Sequence, residues 1–182
     1  MSAQTLLVDS AASIISLRTR AEGLLARMAH DLEIAAPLLR GGATRDGDAW
    51  TADLSVAVTS LRVVGVLHGA DLDRAALSSS DRAQIEQKMR QDVFFGGVRE
   101  ISAVARGTTP TTGEATITLG PRSQHVPLTL SLKSPSEGKL QATGQLTISL
   151  EKLGVKPIKG PLGAFRVKDA VEVFFSIPLS EG

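Results

Sequence analysis

The sequence predicts an all-β fold, an antiparallel sandwich or barrel of roughly eight to ten short strands interrupted by one helix. Three observations lead there. Apolar and polar residues alternate with period two in segment after segment, which places every second side chain on one sheet face. Turn-forming clusters, "RGGATRDGD", "TTPTTG" and "SPSEG", separate many of these segments. One stretch alone, "SSSDRAQIEQKMRQDVFFGG", carries helical periodicity instead.

The strands follow in order. "TLLV", "SIISLRT" and "HDLEIA" are short candidates in the first 35 residues. "DAWTADLSVAV" sets Trp50, Ala52, Leu54, Val56 and Val58 on one face and Thr51, Asp53 and Ser55 on the other. Asp46-Gly47 before it is a hairpin signal, because glycine accepts the positive φ such turns need. "VREISAVAR" and "EATITL" are further short strands. In "HVPLTLSLK", Val126, Leu128, Leu130 and Leu132 alternate with Pro127, Thr129, Ser131 and Lys133. Pro127 on the polar face points to an edge or a bulge. "KLQATGQLTISL" continues the pattern through Leu140, Ala142, Gly144, Leu146, Ile148 and Leu150, and "DAVEVFFSIPL" through Val171, Val173, Phe175, Ile177 and Leu179. The segment "EGLLARM" is ambiguous between a helical turn and a loop.

The helix carries its own signals. Asp81 or a serine before it caps the first turn, with Gln84 three positions after Asp81. Ile85, Met89 and Val93 make one apolar stripe, and Glu86 and Arg90 an i,i+4 pair read as lying on the solvent side. Gly96 or Gly97 terminates it. A one-sided helix of this kind is expected to lie as a lid on something apolar.

The bulk numbers exclude several functions. Twenty basic against nineteen acidic residues give a net charge of +1, not the concentrated basic field of a nucleic-acid binder. With no cysteine there is no disulfide framework, zinc–thiolate site or cysteine nucleophile. The N-terminus has no basic region ahead of an apolar one, and no run is long enough for a transmembrane helix. The chain therefore reads as soluble and cytoplasmic, or periplasmic if a leader has been removed. With no linker or low-complexity tract, residues 1–182 read as one domain.

Several motifs, in this order, resemble the YceI-like family of lipid-binding, lipocalin-like barrels: "LLVDSAASIISLRTR", "IEQKMRQDVFFGGVREISAVA", "ATITLGPRSQHVPLTLSL" and "GQLTISLEKLGVKPIKG…DAVEVFFSIPL". The likeness departs from the family pattern where Val93 separates Asp92 from Phe94, in "EKLGV" and in "GPRSQHVP". It implies a closed antiparallel lipocalin-like β-barrel of about eight strands with one short amphipathic helix. It also implies an apolar channel for an isoprenoid quinone, a polyprenyl compound or another long-chain lipid, bound without catalysis and without a cofactor.

The inward set expected to meet such a ligand is Leu54, Val56, Leu128, Leu130, Leu146, Ile148, Val173 and Phe175, with Phe94 and Phe95 from the end of the helix. Aliphatic inward residues either fill the barrel or leave a dry tube, and composition does not separate the two. One Phe of the pair can equally pack as core, and Trp50 reads first as a core anchor. The basic loop "EKLGVKPIKGPLGAFRVK" is a candidate for holding an anionic head group at the rim or touching an anionic membrane transiently. Arg18 and Arg20 point outward, or inward if paired or facing a ligand head group.

The competing readings are a filled barrel that acts through a homodimer, by exposed strand edges or by the "APLLRGG" stretch around Leu38 and Leu39, and an enzyme using His30 or Asp31. Enzyme signals are poor. The three histidines lack metal-ligand spacing, and no nucleophile elbow or phosphate loop is present.

Overall fold

The longest-range organiser of the fold is the C-terminal strand. In the computed structural model, which describes residues 3–26, 29–94 and 97–182, β14 (Ala170–Glu181) serves two strands along one edge. Its end pairs with β1 (Gln4–Val8), Val8 opposite Leu179, and its beginning with β2 (Ile14–Thr19), Leu17 opposite Val173. Between them the chain turns at Asp9, whose Oδ1 accepts from Ala12 N at 3.0 Å, while Ser13 Oγ donates to Asp9 O at 2.7 Å. This is the aspartate and small-residue turn of the opening motif.

From β1 the ring runs through β5 (Leu38–Asp46), β6 (Ala49–Ala57), β9 (Glu100–Gly107), β10 (Thr112–Leu119), β11 (Arg122–Ser136) and β12 (Lys139–Ser149), and returns to β14. It is a closed eight-stranded antiparallel barrel. From β2 a branch continues through β4 (Asp31–Ala35), β7 (Arg62–His68) and β8 (Asp71–Asp73). β3 (Ala21–Glu22) and β13 (Arg166–Val167) form a separate short ribbon.

Two segments depart from the sequence expectation. The "RGGATRDGD" cluster is mostly strand β5, not a turn. Gly41 sits where neighbours crowd the strand: a Cβ there would lie 2.8 Å from Leu54 Cδ2 and 3.1 Å from Val8 Cγ1. The hairpin itself follows at Gly47, φ +61°. The same strand buries Leu38 at 7% exposure, which takes it out of any dimer contact and leaves Leu39 half-exposed. In "EGLLARM", Glu22 ends a short strand, residues 23–25 bend and turn, and Ala26 lies in a 3-10 turn, while Arg27 and Met28 lie outside the described residues.

α1 (Ser79–Asp92) packs on β7 of this branch. Its cap is Ser78, in a reciprocal box with Asp81. Ile85 and Met89 pack against the cluster around Leu61 and Val63, and Val93 against the cluster around Ile117 and Leu128. Glu86 reaches inward as well as to Arg90 (3.6 Å): its Oε1 accepts from Val63 N at 2.9 Å. It thereby occupies a donor on a strand edge that β8 does not cover, so the solvent-side reading of this pair is corrected. Among the described residues no helix is long and apolar enough to cross a membrane.

Candidate functional site: the barrel interior

Alternation along each strand decides what enters the barrel, and register decides what meets there. Four successive strands bring an alanine to one level. Ala43 of β5 pairs with Ala52 of β6, Ala52 with Ala105 of β9, and Ala105 with Ala115 of β10. All four line one cavity of about 230 Å³. Side chains ending at Cβ cannot reach the barrel axis, so this wall leaves space a row of leucines would fill.

The opposite wall is bulkier. Leu130, Gly144 and Phe175 form one cross-strand row. Phe175 lies over the glycine so closely that a Cβ at 144 would be 2.6 Å from its Cζ.

Leu54, Val56, Leu128, Leu130, Leu146, Ile148, Val173 and Phe175 all line this cavity. Phe94 does not. It follows the last turn of α1 and packs into the seam between the two clusters on which the helix sits. Phe95 lies outside the described residues. The lining residues absent from the expected set, above all Ala43, Ala105, Ala115 and Ile117, carry the same period-two signal in their strands.

One end of the cavity is lined by the hairpins. Arg45, Asp48, Trp50 and Pro110 line it there. The Trp50 indole lies across Gly107 and Gly113, where a Cβ would come within 2.6 and 2.9 Å, and its Nε1 donates to Thr109 O at 2.7 Å. Trp50 is thus both an anchor and part of the rim. The Arg45 guanidinium donates to Gly47 O at 2.8 Å, and Arg45 and Asp48 put one charge of each sign on this end of the cavity.

The far end is packed. β11 and β12 pair only from Thr129 opposite Gln145 toward their hairpin, so residues 122–128 part from residues 146–149. Gln124 spans the parting, its Nε2 donating to Ser149 O at 2.9 Å and its Oε1 accepting from Ser149 N at 3.0 Å. Leu153 and Val155, 3% and 4% exposed, join the same cluster as Val126 and Leu128. Pro127 falls in the stretch of β11 that lacks a β12 partner, as its missing N–H requires.

The basic loop from Glu151 to Lys168 therefore leaves the barrel at the packed end, not at the hairpin rim where a head-group role was expected. Arg18 points outward. It pairs with Glu33 at 3.0 Å and its guanidinium carbon lies 4.7 Å from the Phe174 ring centre, on the face opposite Leu17. Arg20 bridges Asp31 (3.3 Å) and Glu172 (3.5 Å). Asp31 also accepts from Ala21 N at 2.8 Å, so its carboxylate is held by the backbone of β3 as well as by Arg20. His125 bonds Thr116 Oγ1 at 2.8 Å in an exposed outer-face pair. Among the described residues no group of three His, Asp or Glu side chains could hold a metal.

No family model and no curated protein matches the sequence. Solved structures do match. A polyisoprenoid binding domain from Saccharophagus degradans, implicated in plant cell wall breakdown, superimposes with a TM-score of 0.65 at 10% identity, covering 98% of this chain and 99% of that one. The chain shares its fold. BcnA of Burkholderia cenocepacia matches with a TM-score of 0.60 at 15% identity, over 94% of this chain and 98% of that one. The barrel implied by the YceI-like resemblance is the barrel found.

Proposed function

We propose that this protein binds and carries a long-tailed apolar lipid, an isoprenoid quinone or polyprenyl compound, with the tail inside the barrel and without catalysis. The observation that carries the reading is the alanine level of β5, β6, β9 and β10 facing Phe175 across an apolar cavity of about 230 Å³. An apolar cavity is poorly occupied by water and gains about 0.8 kcal/mol for each tail CH₂ it buries. A fold shared with a domain described as polyisoprenoid binding supports the same ligand class. The rim refines it: Arg45 and Asp48, one charge of each sign at the hairpin end of the cavity, suit an uncharged head such as a quinone better than a diphosphate.

A carrier of a bilayer-resident lipid meets a bilayer to load and unload, so transient membrane contact follows from this reading. The competing filled barrel acting as a dimer needs a solid interior and a contact through exposed strand edges or the stretch around Leu38 and Leu39. The cavity and the burial of Leu38 weigh against it.

Organic extraction of the purified protein followed by mass spectrometry tests the proposal. A prenyl-tailed species near one per chain is expected. Repeated recovery from a lipid-rich host with no stoichiometric lipid would overturn it.

A further inference from the structure

Leu24 and Leu162 are the most exposed large apolar side chains among the described residues, at 93% and 107%; the next, Ile14, is at 62%. They belong to neighbouring loops. Ala21 and Glu22 pair with Val167 and Arg166 in the β3–β13 ribbon, and Leu25 N donates to Ala164 O at 3.2 Å. A Cβ on Gly23 would stand 3.3 Å from Phe165 Cα.

The Leu162 loop is a closed turn. Gly160 N donates to Phe165 O at 2.9 Å and Gly163 N to Gly160 O at 3.1 Å, with the Phe165 ring laid over Gly160. At its tip Leu162 holds φ +56°, a conformation glycine adopts freely and leucine rarely. A large apolar side chain thus occupies a strained position and stays in water.

Cations stand behind these tips. Lys159 and Arg166 bridge across the base of the loop, and Lys168 N donates to Arg20 O beside it. Arg166 is paired with Glu22 at 2.5 Å. Among the described residues, Lys156, Lys159 and Lys168 are exposed and form no ion pair. Apolar tips ahead of a lysine collar match a bilayer interface, where leucine enters the acyl boundary and lysine meets lipid phosphate. Two side chains are far too small a patch for a stable protein partner, which needs on the order of 1,200 Å² of total buried surface.

We infer that the Leu24 and Leu162 loops dock the protein on an anionic lipid bilayer. The inference rests on the carrier reading for its purpose and on the two loops for its geometry. The tips lie at the packed end, where β14 begins, opposite the hairpin rim, so docking there tethers the protein and is distinct from the contact that loads the cavity.

Co-sedimentation of the full chain with mixed phosphatidylglycerol–phosphatidylcholine vesicles, against phosphatidylcholine alone, tests this. Binding to the anionic vesicles is expected, weakened by salt and by Lys159→Gln with Lys168→Gln. Leu24→Ser and Leu162→Gly should each weaken it about tenfold. Leu162→Gly also relieves the backbone, so its thermal midpoint should hold or rise. Partition that is absent, or indifferent to both leucines, overturns the inference, as does self-association without vesicles that these substitutions abolish. Mass spectrometry on the same preparations separates the two claims. Vesicle binding with no co-purified lipid would sink the carrier and leave the docking site standing; co-purified lipid with no vesicle binding would do the reverse.

Discussion

Ala105 is the most informative position in the barrel. It stands between Ala52 and Ala115 in the four-alanine level and lines the cavity. Ala105→Phe places a six-carbon ring where the proposed tail lies. Displacing roughly six tail carbons at about 0.8 kcal/mol each forfeits about 5 kcal/mol, more than a thousandfold in Kd. A tail that slides toward the rim and recovers half of this still loses well over tenfold. The fold should tolerate the change, since burying the ring contributes about 1.5–3 kcal/mol and overpacking costs about 1–3 kcal/mol. The assay pairs lipid load by extraction and mass spectrometry with displacement of a fluorescent apolar probe, and a thermal melt reports the fold. Ala105→Leu gives a milder step should the ring prove too large. A folded Ala105→Phe protein with full lipid load and unchanged probe affinity would show that no tail occupies this level.

Other expectations concern the elements that close the barrel. Glu86→Ala leaves Val63 N without its acceptor under α1 and should cost about 1–3 kcal/mol in urea unfolding; a loss within error would mean that the clamp does not hold the helix. Leu153→Ala empties a 3%-exposed position at the parting of β11 and β12 and should cost about 2–5 kcal/mol by the same measurement. Asp81 is held below its ordinary value of 3.8 by bonds from the Ser78 hydroxyl and backbone N–H. The unfolded chain therefore takes up the proton first, so the capping box stabilises above that value and fades as pH falls through the lowered one. The stability gap between wild type and Asp81→Asn, followed by thermal melts from about pH 6 to pH 2, should narrow in acid; a constant gap would contradict the assignment.

Much of this architecture is legible in the sequence because burial on one sheet face writes itself as period two. The strands through Leu54, Leu128, Leu146 and Val173 need nothing else, and the helix is marked by its serines and its Ile85–Met89–Val93 stripe, although it ends at Asp92 with Val93 as its right-handed cap, ahead of the glycines expected to terminate it. What escapes is local chemistry that imitates something else. Gly41 and Gly42 look like a turn because glycine usually breaks strands, yet both lie in β5, and Leu54 and Val8 crowd Gly41 from neighbouring strands. β7 shows no clean alternation because Val63, Val66 and Leu67 are all buried and Gly65 meets the Asp73 carbonyl, where a Cβ would clash. Phe94 has the composition of a ligand contact, but the end of α1 directs it into the seam under the helix.

The cavity belongs to a different level of description. Ala43, Ala52, Ala105 and Ala115 are scattered across 73 positions of sequence, and nothing in any one segment says that they will meet. They meet because three antiparallel registers align them. A slip of one residue in β6 would present Thr51 or Asp53 to the same place and put a polar group into the barrel. The pairings that keep polar groups out are thus the same pairings that stack four small side chains on one wall. A barrel whose inward residues were shuffled within their strands would keep its composition and its alternation, and would fill. The space for a tail is therefore a property of register, and Ala105, at the junction of two of the three pairings, is where changing one residue tests it.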